Sequence, residues 1–128
     1  MLVSGKVLDA SAVASWTTGW LSIQSWVIVA ADLGLTLYLP SLARLEVETL
    51  RPASVVLLDD LASYPNVVLG QLDPATAAAV EDQLEQTRTF DVLAAWVAHT
   101  CRQRHWPALT ADPARLRRID PDLPVDEL

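Results

Sequence analysis

Short apolar runs that alternate with longer stretches of helical spacing place the strongest constraint on how this chain can fold. The apolar runs fall at 7–8, 35–39, 66–69 and 107–110, and residues 123–125 form a candidate edge strand. Stretches with apolar residues every three or four positions lie between them, at about 12–33 with a break near 17–19, at 41–50, from 74, at 89–104 and from 113. This order predicts an α/β domain with a central, mainly parallel sheet of four to five strands.

The composition favours one globular domain over residues 1–128. Hydrophobic residues make up 52% of the 128 residues, which is enough for a packed core. The net charge of −7 argues against a simple basic nucleic-acid binder and against a polybasic membrane-surface protein. Cys101, together with His99 and His105, offers too few ligands for a zinc site.

Neither a membrane span nor a secretion signal is expected. The most apolar stretch, residues 21–40, is interrupted by polar residues, by Gly34 and by Pro40, whereas a span needs about 20 mostly apolar residues. The opening, Met1-Leu-Val-Ser-Gly-Lys6, lacks the long apolar run of a secretory signal. These features predict a cytoplasmic protein with no membrane partner.

Two aspartates follow predicted strands directly. Asp9 comes after Val7-Leu8, and Asp112 comes two residues after Thr110. In open α/β sheets, ligands bind at the carboxyl ends of the strands, where the strand order reverses. Each aspartate also has an ordinary structural interpretation, Asp9 as a turn residue and Asp112 as a helix N-cap before a proline.

Glu46 is the least ordinary of the acids. It lies ~40° from the first of three leucines on the predicted helix 41–50. We expect those leucines to mark the buried face, at positions 42, 45 and 50. A carboxylate within such a face needs a partner, a cation or a water-filled cleft. The alternative is an ion pair with an arginine such as Arg44 or Arg51.

Asp91 completes a set of four acids. It lies in the first turn of the predicted helix 89–104, beside Phe90 in the apolar stripe, and the helix dipole favours an acid there in any case. Taken together with Asp9, Glu46 and Asp112, however, it predicts a crowded acidic cleft. Such a cleft raises its own pKa values or recruits a cation, and oxygen ligands select Mg²⁺ or Mn²⁺. The pattern therefore indicates metal-assisted chemistry on a phosphate ester.

Four short motifs in this order resemble those of the PIN domain family. Glu46 follows Asp9 by 37 residues and Asp112 follows Asp91 by 21 residues, spacings similar to those of small PIN domains. The motifs are Val7-Leu-Asp-Ala-Ser11, Leu39-Pro-Ser-Leu-Ala-Arg-Leu-Glu46-Val, Phe90-Asp91-Val-Leu-Ala-Ala-Trp-Val-Ala98 and Leu109-Thr-Ala-Asp112-Pro-Ala-Arg-Leu116.

This resemblance implies a three-layer α/β/α fold and a Mg²⁺- or Mn²⁺-dependent endoribonuclease. By size the nearest subgroup is the VapC-type toxin, which is neutralised by a small antitoxin and is usually a homodimer. The implied acidic site, which binds the metal and is catalytic, would comprise Asp9, Glu46, Asp91 and Asp112, with Ser11 and Thr110 as polar supports. Metal-activated water would attack the RNA phosphorus, and no side-chain nucleophile is required.

Two further interpretations stay open at this point. A non-catalytic PIN-like module that binds a partner protein and cleaves nothing is the serious alternative. The arginine clusters at 102–104 and 115–118 either line an RNA approach or solvate two helices, and the second is favoured. A phosphoacceptor receiver domain is excluded because the single lysine, Lys6, precedes the first motif and cannot follow a fifth strand.

Overall fold

An all-parallel, five-stranded sheet forms the centre of the protein, in a computed structural model that describes residues 4–128. The strand order is β3-β2-β1-β4-β5, so the chain builds outward from β1 in one direction and then crosses back to the other side. The strands are β1 (Gly5–Leu8), β2 (Thr36–Pro40), β3 (Val67–Gly70), β4 (Ala108–Thr110) and β5 (Val125–Glu127). The predicted α/β class is confirmed, and the edge strand lies slightly later than 123–125.

Helices cover both faces of the sheet, which gives a three-layer α/β/α arrangement. They are α1 (Ala10–Thr17), α2 (Leu21–Leu33), α3 (Ser41–Leu50), α4 (Val55–Ala62), α5 (Pro74–Thr87), α6 (Val92–Arg104) and α7 (Pro113–Arg117). The first four pack against one another, and the last three form a second group. Right-handed crossovers account for the division, because the chain moves one way from β1 to β3 and the other way from β3 to β4.

The break within the predicted helix 12–33 is a true helix end. The break lies between α1 and α2, where Gly19 has a left-handed φ of 74°. Gly34, with φ of 70°, ends α2 in the same left-handed conformation. Glycine reaches this region without the steric cost that other residues meet. The turn at Gly34 returns the chain into β2, beside β1.

Two expectations about buried faces are wrong. Phe90 is 97% exposed and precedes α6, because the Asp91 side chain accepts a hydrogen bond from the Ala94 amide and so makes Asp91 the N-cap rather than a first-turn residue. In α3 the buried residues are Ala43 and Val47. The leucines expected there are half-buried at position 42 and exposed at positions 45 and 50, since the small and β-branched side chains make the close packing.

None of the helices within residues 4–128 is both long enough and apolar enough to cross a membrane. Residues 1–3, part of the opening segment from which a cytoplasmic location is predicted, lie outside the described range. That location stays a prediction.

A side chain at Gly5 should destabilise the central strand. A Cβ atom there would lie 2.5 Å from the backbone oxygen of Thr36 in β2 and 2.9 Å from the ring of Trp106. Gly5→Ala is expected to lower the free energy of unfolding by about 2 kcal/mol or more in urea titrations. Gly19→Ala is the matched control and should lose only about 1 kcal/mol, because it meets a left-handed φ but no neighbouring atom. An equal or smaller loss for Gly5→Ala would contradict the packing described here.

Candidate acidic site

Asp9 lies at the point where the strand order reverses. It follows β1 directly, and β1 is flanked by β2 on one side and by β4 on the other. The residue is buried, with 4% exposure, and its carboxylate caps α1 by accepting a hydrogen bond from the Ala12 amide at 2.9 Å. This is the place in an open parallel sheet where ligand sites form.

Ser11 and Thr110 tie this carboxylate to the segment that follows β4. The Ser11 hydroxyl donates to Asp9 Oδ1 at 2.7 Å, and the Thr110 hydroxyl donates to Asp9 Oδ2. Thr110 Oγ1 in turn accepts from the Asp112 amide at 2.9 Å, and Ser11 Oγ accepts from the Ala111 amide at 2.8 Å. The two hydroxyl groups therefore fix the start of α7 against the end of β1.

Burial raises the pKa of the Asp9 carboxyl above its usual value, because the charged form loses its hydration. The hydrogen bonds from Thr110, Ser11 and the Ala12 amide, and the positive charge of Arg115, act in the opposite direction without cancelling the effect. The folded protein thus holds a carboxylate whose charge is only partly compensated.

Arg115 forms ion pairs with both Glu46 and Asp91. Its Nε and Nη2 donate to Asp91 Oδ2 and Oδ1 at 2.7 and 3.0 Å, and its Nη1 and Nη2 donate to Glu46 Oε2 and Oε1 at 2.8 and 2.9 Å. Both carboxylates are held in a two-point geometry, which is the strongest form of this ion pair. The guanidinium thus links α3, α7 and the N-terminus of α6.

The charges of Arg115 and its partners reinforce one another. Burial alone would raise the pKa of Asp91, but the hydrogen bonds from Arg115 and the Ala94 amide outweigh it and hold that pKa below its usual value. Asp91 and Glu46 raise the pKa of the Arg115 guanidinium. Asp91 and Arg115 are therefore both charged at neutral pH.

Asp112 is the most accessible of the four acids. It is exposed and caps α7, with Oδ1 accepting from the Arg115 amide at 3.4 Å. The Asp112 amide donates to the Thr110 hydroxyl, which in turn donates to Asp9. The Asp112 side chain accepts from the backbone amide of Arg115, whose guanidinium binds Glu46 and Asp91. All four predicted acids are thus connected at one edge of the sheet through Thr110 and Arg115.

The alternative considered for Glu46 is what the structure shows, with a different arginine. Glu46 pairs with Arg115, while Arg44 pairs with Glu48 at 2.7 Å and also with Asp59. Sequence analysis placed Arg115 only in a basic cluster and missed this contact. A signal was present, because an aspartate N-cap at 112 fixes where α7 begins and puts the residue three positions later on the same side of the helix.

A wide groove borders this ion-pair cluster. It has a volume of about 790 Å³ and is lined by Glu46, Asp91 and Arg115 on one side. Its apolar lining includes Leu45, which is 54% exposed, and the almost fully exposed Phe90. An extended ligand or a partner segment can therefore reach Glu46 and Asp91 from solvent.

The donor chemistry of the site fits a hard divalent cation. Four carboxylates and one guanidinium, if all are ionised, carry a net charge of −3, and carboxylate oxygen is the ligand that Mg²⁺ and Mn²⁺ prefer. The arrangement is that of an ion-pair cluster, because Arg115 donates to both oxygens of Glu46 and of Asp91. Within residues 4–128, no three His, Cys, Asp or Glu side chains are grouped so as to hold a metal ion. A cation that used all four carboxylates would require Arg115 to move.

Comparison with known proteins assigns no family to the chain. The sequence matches none of the protein-family models, and no curated protein is significantly similar to it.

Replacing Asp9 by asparagine should change the pH dependence of stability in a defined direction. Because the pKa of Asp9 is raised on folding, its contribution to stability falls as the pH rises from about its unfolded value of 3.8 through the folded value. The neutral amide keeps an oxygen for Ser11 and Ala12 but carries no charge. The free energy of unfolding of Asp9→Asn relative to wild type, measured in EDTA, is expected to increase between pH 3.5 and pH 7.

Asp82→Asn is the control for this measurement. Asp82 is exposed on α5, so its replacement removes one negative charge but no buried carboxylate. Its stability difference from wild type should stay nearly constant over the same pH range. A difference for Asp9→Asn that was flat or that fell with rising pH would contradict the assignment of a buried, incompletely compensated charge.

Proposed function

We propose that this protein is a PIN-like, Mg²⁺- or Mn²⁺-dependent endoribonuclease, and that it acts as the toxin of a VapC-type toxin–antitoxin pair. The observation that supports the proposal is the hydrogen-bonded connection of the four motif acids, which begins at Asp9 directly after β1. Asp9 and Asp112 are joined there through Thr110, and Glu46 and Asp91 are joined through Arg115. The four acids lie far apart in the sequence, yet these hydrogen bonds connect them, and Glu46 and Asp91 line the same groove.

In this proposal Asp9, Glu46, Asp91 and Asp112 hold the cation. The chemistry that a bound divalent ion would supply there is activation of a water and neutralisation of charge on the phosphate. Asp9 is the fixed point of the set, because Ser11 and Thr110 hold both of its oxygens. Glu46 and Asp91 lie on the groove side, where an RNA strand approaches, and Asp112 is open to solvent. No side chain is required as a nucleophile.

The proposed partners are single-stranded RNA, a cognate antitoxin protein and a second copy of the chain, in the cytoplasm. Exposed apolar side chains on and next to α2 support a protein-binding surface, since large apolar groups in contact with water favour association. Leu21 is 78% exposed, Leu33 is 69% exposed and Trp20 is 50% exposed. The net charge of −7 means that RNA contacts depend on local arginines rather than on the overall field.

A non-catalytic PIN-like protein-binding module is the second candidate, and the ion pairs of Arg115 favour it. Glu46 and Asp91 are already satisfied by a guanidinium, as in a purely structural cluster. The apolar lining of the groove, with Leu45 and Phe90, also suits a peptide better than a phosphate backbone. The two candidates differ in whether the carboxylates are needed for cleavage.

Replacement of the Asp9 or the Asp112 carboxylate should abolish RNA cleavage. Asp9→Asn and Asp112→Asn are each expected to reduce Mg²⁺-dependent cleavage of single-stranded RNA by about 100-fold or more, because each removes a charge from the proposed metal ligands. Cleavage of a labelled RNA, measured with and without EDTA, tests this. Circular dichroism shows whether each variant keeps the fold.

Asp82→Asn is the activity control and should cleave like wild type, because Asp82 is exposed on α5 and does not line the groove. Full activity in both Asp9→Asn and Asp112→Asn would refute the enzyme assignment. A wild-type protein that cleaves no RNA with either Mg²⁺ or Mn²⁺, but binds a partner through the groove, would favour the binding module.

A further inference from the structure

We propose that Arg115 is a built-in competitor for the metal: it holds Glu46 and Asp91 as an internal counter-ion and thereby sets how tightly a divalent cation binds. The inference rests on the proposed metal site but not on RNA cleavage. It concerns a residue that the motif acids do not include.

The geometry of Arg115 leaves little of either carboxylate free. Three of its nitrogens make four hydrogen bonds of 2.7 to 3.0 Å, and every oxygen of Glu46 and Asp91 accepts at least one of them. The planar fork of arginine matches two carboxylates at once, which the point charge of lysine does not. Asp91 Oδ1 also accepts from the Ala94 amide.

A divalent cation cannot share these oxygens with the guanidinium without cost. Mg²⁺ binds carboxylate oxygen at about 2.0 to 2.1 Å, so it would lie within a few ångströms of the positively charged Arg115. Binding at Glu46 and Asp91 therefore requires the arginine to leave. The affinity for the cation is reduced by whatever free energy the four hydrogen bonds contribute.

Arg115 is placed so that it can leave. Its side chain is 26% exposed and lines the groove of about 790 Å³, which gives the guanidinium a wet space to enter. Its backbone stays fixed, because its amide donates to Asp112 Oδ1 at the start of α7. Movement therefore involves the side chain alone, and the anchor to Asp112 is kept.

Removing the guanidinium should strengthen metal binding. Isothermal titration of Mn²⁺ into Arg115→Gln is expected to give a Kd about ten-fold or more lower than for wild type, because a competing charge has gone and the carboxylates are uncompensated. Arg117→Gln is the matched control: it removes the same charge from an exposed position of the same helix. Its Kd should change by less than about three-fold.

An unchanged or weaker Kd for Arg115→Gln would overturn the inference, as would an equal change in Arg117→Gln, which would indicate a general charge effect. Arg115→Lys keeps the charge but loses the two-fold pairing, so it should fall between wild type and Arg115→Gln. It serves as the test if Arg115→Gln does not fold. The absence of Mn²⁺ binding in all these variants would also overturn the inference.

These outcomes are separable from the proposed activity. Tighter Mn²⁺ binding by Arg115→Gln, with no RNA cleavage by any form, would support the competitor and refute the ribonuclease. Cleavage by wild type that depends on Asp9, with no effect of Arg115 on the Kd, would leave the ribonuclease standing and refute the competitor.

Discussion

The buried carboxylate of Asp9 is the interaction on which the rest of this edge depends. Taking an acid out of water costs free energy unless donors replace the lost hydration. Ser11, Thr110 and the Ala12 amide are those donors, and they come from α1 and β4 rather than from one local turn. Satisfying one charge therefore fixes how two neighbouring strands end and where α7 begins, and the position of Arg115 follows from that.

Helix capping and the acidic site use the same atoms. Asp9, Asp91 and Asp112 are the N-caps of α1, α6 and α7, and each accepts a hydrogen bond from a backbone amide of its own helix. Two of these helices, α1 and α7, follow β1 and β4 and therefore begin at the carboxyl edge of the sheet, and the contact of Arg115 with Asp91 places the start of α6 beside α7. The positive ends of their dipoles thus face the acids and partly compensate them. Asp73 caps α5 in the same way without joining the cluster, so capping alone does not explain why the others meet.

Sequence periodicity was sufficient to predict the fold class, the succession of strands and helices along the chain, and the positions of Asp9 and Asp112 after strands. Local signals carried those predictions: apolar runs, Gly34 as a helix stop, and aspartate–proline pairs at 73–74 and 112–113. What failed depended on tertiary packing. Spacing alone cannot tell that α3 packs through Ala43 and Val47, nor that Phe90 remains in solvent.

Arg115 was hidden for the same reason, and it bears most on function. The Asp112 N-cap indicates which side of α7 Arg115 lies on, but nothing in the local sequence identifies its partners, which are 69 and 24 residues away. A sequence motif records which acids are present but not which cation they face. Here the cation that two of them face is the Arg115 guanidinium, so Glu46 and Asp91 form an ion-pair cluster within the chain, and a divalent cation is the second use that we propose for them. The free energy difference between those two uses of Glu46 and Asp91 decides whether this edge of the sheet is a catalytic centre or a structural joint.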